Sequence, residues 1–104
     1  MLRGVLMAEE VLKLAQEITM KKTPEEAVKF MLVEYLEKKI AECEGTIRRF
    51  ERKYGMNMKG FYEKLGVEFD LSWEHEKDYM DWDWAVVELE DLKEKLEKLK
   101  VHEG

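Results

Sequence analysis

Two histidines, one cysteine and twenty-four carboxylates are the residues of this 104-residue chain whose types could do chemistry. So many acids in a helix-forming sequence invite a carboxylate-bridged di-iron or di-manganese site, which needs paired Glu-x-x-His motifs facing inward. Neither histidine supplies one: Ser72 stands three residues before His75, and Leu99 three before His102. His75 with Asp78 and Tyr79 comes nearest to an ion-binding set, but a lone histidine at a helix start reads as a boundary residue. Cys43 has no histidine near it in sequence and falls on an apolar stripe, as a small buried residue does. There is no glycine loop to cradle a phosphate, and Thr46 and Ser72, the only serine or threonine residues after Thr23, have helical explanations. The carboxylates of the last helical stretch point in many directions, so no acid–base pair is specified. The reading is a protein that is not an enzyme, with no catalytic residue, no metal and no cofactor.

What remains is binding, and the stretch that argues for it is Leu71–Leu92, LSWEHEKDYMDWDWAVVELEDL. It holds all three tryptophans and a dense run of acids, with Lys77 as its only base. Ser72 is a suitable N-cap, and no Gly or Pro follows until the chain end, so one helix is expected over 72–100. At 100° per residue Tyr79, Trp82, Val86 and Leu89 share one side, and Trp73, Met80, Trp84 and Val87 the opposite side. An ordinary surface helix carries a single apolar stripe. Two opposed stripes predict that one packs on the chain itself and the other on something else.

The remaining elements are those that would hold this helix. Residues 8–20 form a short helix with Val11, Leu14, Ala15 and Ile18 on one side, preceded by MLRGVLM as a frayed end or short strand. Thr23-Pro24-Glu25-Glu26 is a strong helix start, and the pattern then runs to Tyr54, with Gly55 as the stop. Leu36, Ile40, Cys43, Ile47, Phe50 and Tyr54 alternate in steps of four and three, the repeat of a coiled-coil seam. A short helix over 57–65, capped by Asn57 and ended by Gly66, turns the corner. The last helix returns with Leu89, Leu92, Leu96 and Leu99 on its own seam. The predicted fold is all-α: one domain, a long antiparallel helical hairpin with a short N-terminal helix. A lone hairpin of about 45 Å buries too little, so it is expected to form a homodimer, a four-helix bundle. The dimer or core set is Leu36, Ile40, Cys43, Ile47, Phe50, Tyr79, Trp82, Val86, Leu89 and Leu96.

Bulk properties narrow the partner. Net charge is −6, with 40% of residues charged, which argues against a general nucleic-acid surface. Ten acids and one lysine lie between Glu68 and Asp91, whereas Arg48, Arg49, Arg52 and Lys53 form a basic knot. A basic protein partner fits the acidic half. The lysine and glutamate excess is that of a thermophile. A lone cysteine and the lack of a leader or an apolar run of membrane length predict a cytoplasmic protein that does not enter the membrane.

One family resemblance sharpens this. AEEVLKLAQEITMKKTPEEAVKFMLVEYLEKK, residues 8–39, resembles the helix–turn–helix part of ribbon–helix–helix antitoxins from prokaryotic type II toxin–antitoxin pairs. The features that carry it are EEVLKLA, the KKTPEEAV turn and cap, and LVEYLEKK. Residues 55–99 look like the toxin-gripping half of a small acidic antitoxin. The resemblance implies a strand that reads DNA, a dimer core and a C-terminal extension that wraps the toxin. MLRGVLM lacks the alternating polar positions of a DNA-reading strand and has Arg3 as its one base, so the expected partner is a small basic toxin rather than DNA. Trp73, Asp78, Met80, Asp81, Asp83, Trp84 and Val87 are the expected contact residues, imitating phosphate and base in the toxin's basic cleft. The alternative is a self-associating helical scaffold with no catalytic activity.

Overall fold

The computed structural model describes residues 2–101, with side chains from Met7 onward; His102 lies outside them. The protein is all-α, built from α1 (Leu2–Thr19), α2 (Pro24–Tyr54), α3 (Met58–Lys64) and α4 (Trp73–Val101). Among the described residues the only β feature is an isolated bridge between Leu65 and Phe69.

The long helices begin and end where their local chemistry dictates. Thr23 is extended, and its hydroxyl accepts from the Glu26 N–H at 3.1 Å, with Pro24 opening α2 behind it. Gly55 ends α2 in the left-handed region at φ 68° and donates to the Glu51 carbonyl at 2.7 Å. A residue with a Cβ is strained at that angle, which explains glycine there. The Asn57 side chain accepts from the Gly60 N–H at 2.8 Å to start α3, and Ser72 accepts from the His75 N–H at 3.2 Å to start α4.

Lys53 reaches Glu74 and Asp78 at one end, and Glu44 reaches Lys93 further along, so α2 and α4 run antiparallel. Their seams close into two clusters. Leu36, Cys43 and Leu92 form one, with Ile40, Leu89, Leu96 and Leu99 around it. Phe50, Phe61 and Trp82 form the other, with Ile47, Tyr54, Tyr79, Val86 and the α3 corner against it. The second cluster has more residues packed around it, because α3 closes the corner end of the hairpin and adds Phe61 to it.

The N-terminal helix departs from expectation twice. The segment expected as a frayed end or strand is helical from Leu2, so α1 runs over Leu2–Thr19 rather than 8–20. Val11, Leu14, Ala15 and Ile18 were expected to form the apolar side of this helix, yet only Ala15 is buried. Ala27 on α2 is fully buried, while Val11, Leu14 and Ile18 remain mostly exposed.

Little of this chain is interior. A compact monomer of 12.5 kDa would expose about 6,200 Å², whereas this one exposes 8199 Å². Its radius of gyration is 20.1 Å, against about 13 Å for a compact domain of this length.

Gly45 sits inside α2, and a Cβ added there meets nothing within 4 Å. Gly45→Ala is therefore expected to raise stability by about 1 kcal/mol, seen as a higher thermal midpoint with unchanged helicity. A lower midpoint would show that the bare backbone here is needed for a contact beyond the single chain.

Candidate protein-binding face

α4 separates the three tryptophans. Trp82 is fully buried, stacked on Phe50 at a centroid distance of 5.5 Å and tilted against Phe61 at 5.7 Å. Trp73 and Trp84 are 73% and 65% exposed, as are Met80 and Val87 to similar extents. Asp83 lies at the edge of this apolar strip and Asp81 on its other flank. An apolar strip flanked by acids on a rigid helix is the make-up of a binding hot spot, because the aromatics need no ordering when they are covered.

The acids expected to contact a partner divide in two. Asp83 has no ion-pair or hydrogen-bond partner among the described residues, and Asp81 holds only Lys77 of its own helix at 2.7 Å. Asp78 is different. Its carboxylate accepts from Lys53 Nζ at 2.7 Å and from the Tyr54 hydroxyl, and its side chain is 15% exposed. Asp78 is thus a latch between α2 and α4, its carboxylate already engaged within the chain where a free contact residue was expected. Part of the basic knot is consumed in the same way: Lys53 also pairs with Glu74 at 3.1 Å.

The latch makes stability depend on pH at both extremes. Burial works to raise the Asp78 carboxyl, but the hydrogen bonds from Lys53 and Tyr54 outweigh it and hold the group below its ordinary range. The stability it contributes is present above about pH 4 and is lost as pH falls through its lowered value. Burial, then the bond to Asp78, pushes the Tyr54 phenol up to about 12. The unfolded chain loses that proton near pH 10, so stability falls between there and about 12. Tyr54→Phe should cost about 1–2 kcal/mol at neutral pH and flatten the alkaline loss in urea unfolding. An unchanged alkaline slope would place that loss elsewhere.

Beside Trp84 the structure adds a groove of about 330 Å³ between the long helices, walled by Lys39, Glu42, Thr46 and Arg49 of α2 and by Asp81, Trp84 and Glu88 of α4. Sequence reasoning assigned the α2 residues no contact role. The only signal was the Arg48–Lys53 knot, of which Arg49 alone reaches this groove, with its guanidinium 4.9 Å over Phe50. Cys43 lies at the groove's floor, where burial, then Glu88 and Glu42, push its thiol up. That is the opposite of what a nucleophile needs.

The residues that came nearest to an ion site do not converge. His75 Nδ1 contacts Asp70 at 2.8 Å, while Asp78 is held by Lys53 and Tyr54. No group of three or more His, Cys, Asp or Glu among the described residues is placed to hold a metal, and no described helix is long and apolar enough to cross a membrane. Compared with protein-family models, with curated proteins and with solved structures, the chain shows no significant match.

Proposed function

We propose that this chain is a protein-binding module, the antitoxin of a toxin–antitoxin pair, which neutralises a small basic toxin in the cytoplasm through the outer face of α4. The observation that carries this is the division of α4. Trp82 is fully buried while Trp73 and Trp84, on the opposite side, are mostly exposed. Charge supports a basic partner, since Asp81, Asp83 and Glu88 surround Trp84 with little internal neutralisation. Association then follows the usual pattern, in which charge speeds encounter and desolvated aromatics set residence time. Reading DNA is not part of the proposal: the segment a ribbon–helix–helix protein uses as its strand is here the start of α1.

The test is capture of the tagged chain from its native host. A small, basic, stoichiometric protein is expected, lost when Trp84→Ala is the bait and protecting Trp73 and Trp84 from acrylamide quenching when added back. Recovery of the chain alone, with both tryptophans already protected in the pure protein, would replace this reading with a self-associating scaffold.

A further inference from the structure

Both α1 and α4 pack on α2, but among the described residues they do not pack on each other. The gap between them is a groove of about 760 Å³, with Leu12 of α1, Val28 and Leu32 of α2 and Leu99 of α4 as its apolar walls. Past Leu32 and Leu99 it continues into a smaller stretch of about 330 Å³, where Leu36 is added to the floor and Lys95 and Lys98 to the rim. Val28, Leu32 and Leu36 stand one turn apart, so the floor runs about 12 Å along α2. Leu12, Val28 and Leu32 are exposed there. Size and lining are those of a small-molecule site, mostly apolar with a few polar groups that orient the ligand.

Charge selects the ligand. The chain carries −6 overall, yet three lysines and one acid line this groove. The acid, Glu25, stands four positions before Lys29 on α2, so the two offset one another. The surplus is Lys95 and Lys98, both on α4 and both in the smaller stretch. Lys95 holds Asp91 at 2.8 Å, whereas Lys98 has no ion-pair partner among the described residues. One basic end and one apolar end match a ligand with a single anionic head and a hydrocarbon tail. A docked amphipathic helix would instead be matched by charge along both of its sides.

We infer that the groove binds a free long-chain fatty acid, its carboxylate at Lys98 and Lys95 and its tail against Leu36, Leu32, Val28 and Leu12. This is independent of the antitoxin reading, because no residue of the outer Trp84 face lines the groove. The tail supplies the contact that α1 and α4 lack. A ligand that touches both helices binds best when α1 is docked, and so shifts the population toward that state.

Isothermal titration of the full chain with laurate, kept below the concentration at which it forms micelles, tests this. One site per chain is expected, with a Kd of about 10–100 µM. A buried methylene is worth about a factor of four, so laurate should bind roughly 20-fold or more tightly than octanoate. Dodecylamine, with a similar tail and a positive head, is favoured by the net charge of the chain. It should nonetheless bind about 10-fold or more weakly than laurate. Lys98→Glu should weaken laurate about 5-fold or more, and Leu12→Glu about 10-fold or more. Lys98 is exposed, so its variant keeps the fold and carries the test even where Leu12→Glu loosens α1. Amide exchange in α1 should slow when laurate is bound. Trp84→Ala should bind laurate as the parent does, which separates failure at this groove from failure at the outer face of α4. No saturable site, tighter binding of dodecylamine, or laurate binding indifferent to both groove variants would overturn the inference. So would a chain that sediments with phosphatidylglycerol vesicles and ignores monomeric laurate.

Discussion

Trp82→Ala is expected to cost about 3–5 kcal/mol, enough to unfold a large fraction of a chain whose total stability lies in the range of about 5–15 kcal/mol. Trp82 is fully buried and sits among Phe50, Phe61 and Tyr54, with ring centroids 5.5, 5.7 and 6.2 Å away. Truncation removes the largest side chain of the second core cluster and leaves a cavity that must either stay open or collapse. Collapse is difficult here because the three neighbours come from two elements with separate constraints: α2 is anchored through the Lys53–Asp78 latch, and α3 is closed by its Asn57 cap. Urea unfolding followed by helicity gives the number, and Trp82→Phe should recover more than half of the loss. A Trp82→Ala protein within 1 kcal/mol of the parent would show that α3 and the hairpin end contribute little to stability.

That Trp82 and Trp84 lie on opposite sides of α4 was legible before any coordinates, because helical period alone puts two residues separated by two positions about 160° apart; which of the two is inside is settled only by the packing of the hairpin. The bounds of α2 were legible for the same kind of local reason: Thr23-Pro24-Glu25-Glu26 and Tyr54-Gly55 leave the backbone few choices, and Thr23 and Gly55 adopt the capping conformations expected of them. The corner was legible through Asn57 and Gly66, the latter at φ 79°.

Where reading failed, the decisive information was not local. The apolar residues of α1 have the right period for a helix face, but periodicity does not say which neighbour that face meets. On α1 the residue that is buried is Ala15, while Val11, Leu14 and Ile18 stay mostly exposed. Asp78 looked like its neighbours Asp81 and Asp83 in sequence. Only the antiparallel register of the hairpin, which brings Lys53 and Tyr54 opposite it across 25 and 24 positions, turns it into a latch. The groove under Trp84 was hidden for the same reason, being made from two helices whose relative offset is set by the corner.

That difference between the acids leads to the second large effect, expected in binding rather than in folding. Trp84→Ala should change stability by no more than about 0.5 kcal/mol, as for other exposed positions, yet weaken partner binding by about 2 kcal/mol or more, roughly 30-fold. The loss belongs in the dissociation rate, because a covered indole acts after the complex has formed. Asp83→Asn should instead lower the association rate by a few-fold and flatten its salt dependence, because an exposed charge acts during approach. Asp78→Ala should do neither directly: it releases Lys53 and Tyr54, so it appears as lost stability, with binding weakened only in proportion to unfolding. Surface-immobilised partner and stopped-flow mixing separate these three behaviours. Equal association and dissociation rates for Trp84→Ala and the parent would remove the outer face of α4 from the contact, whatever the partner proves to be. A reduction in association by Trp84→Ala alone, with dissociation untouched, would mean that the indole guides encounter and that residence is set by another surface, with the Lys39–Arg49 wall of the adjoining groove the next to be varied.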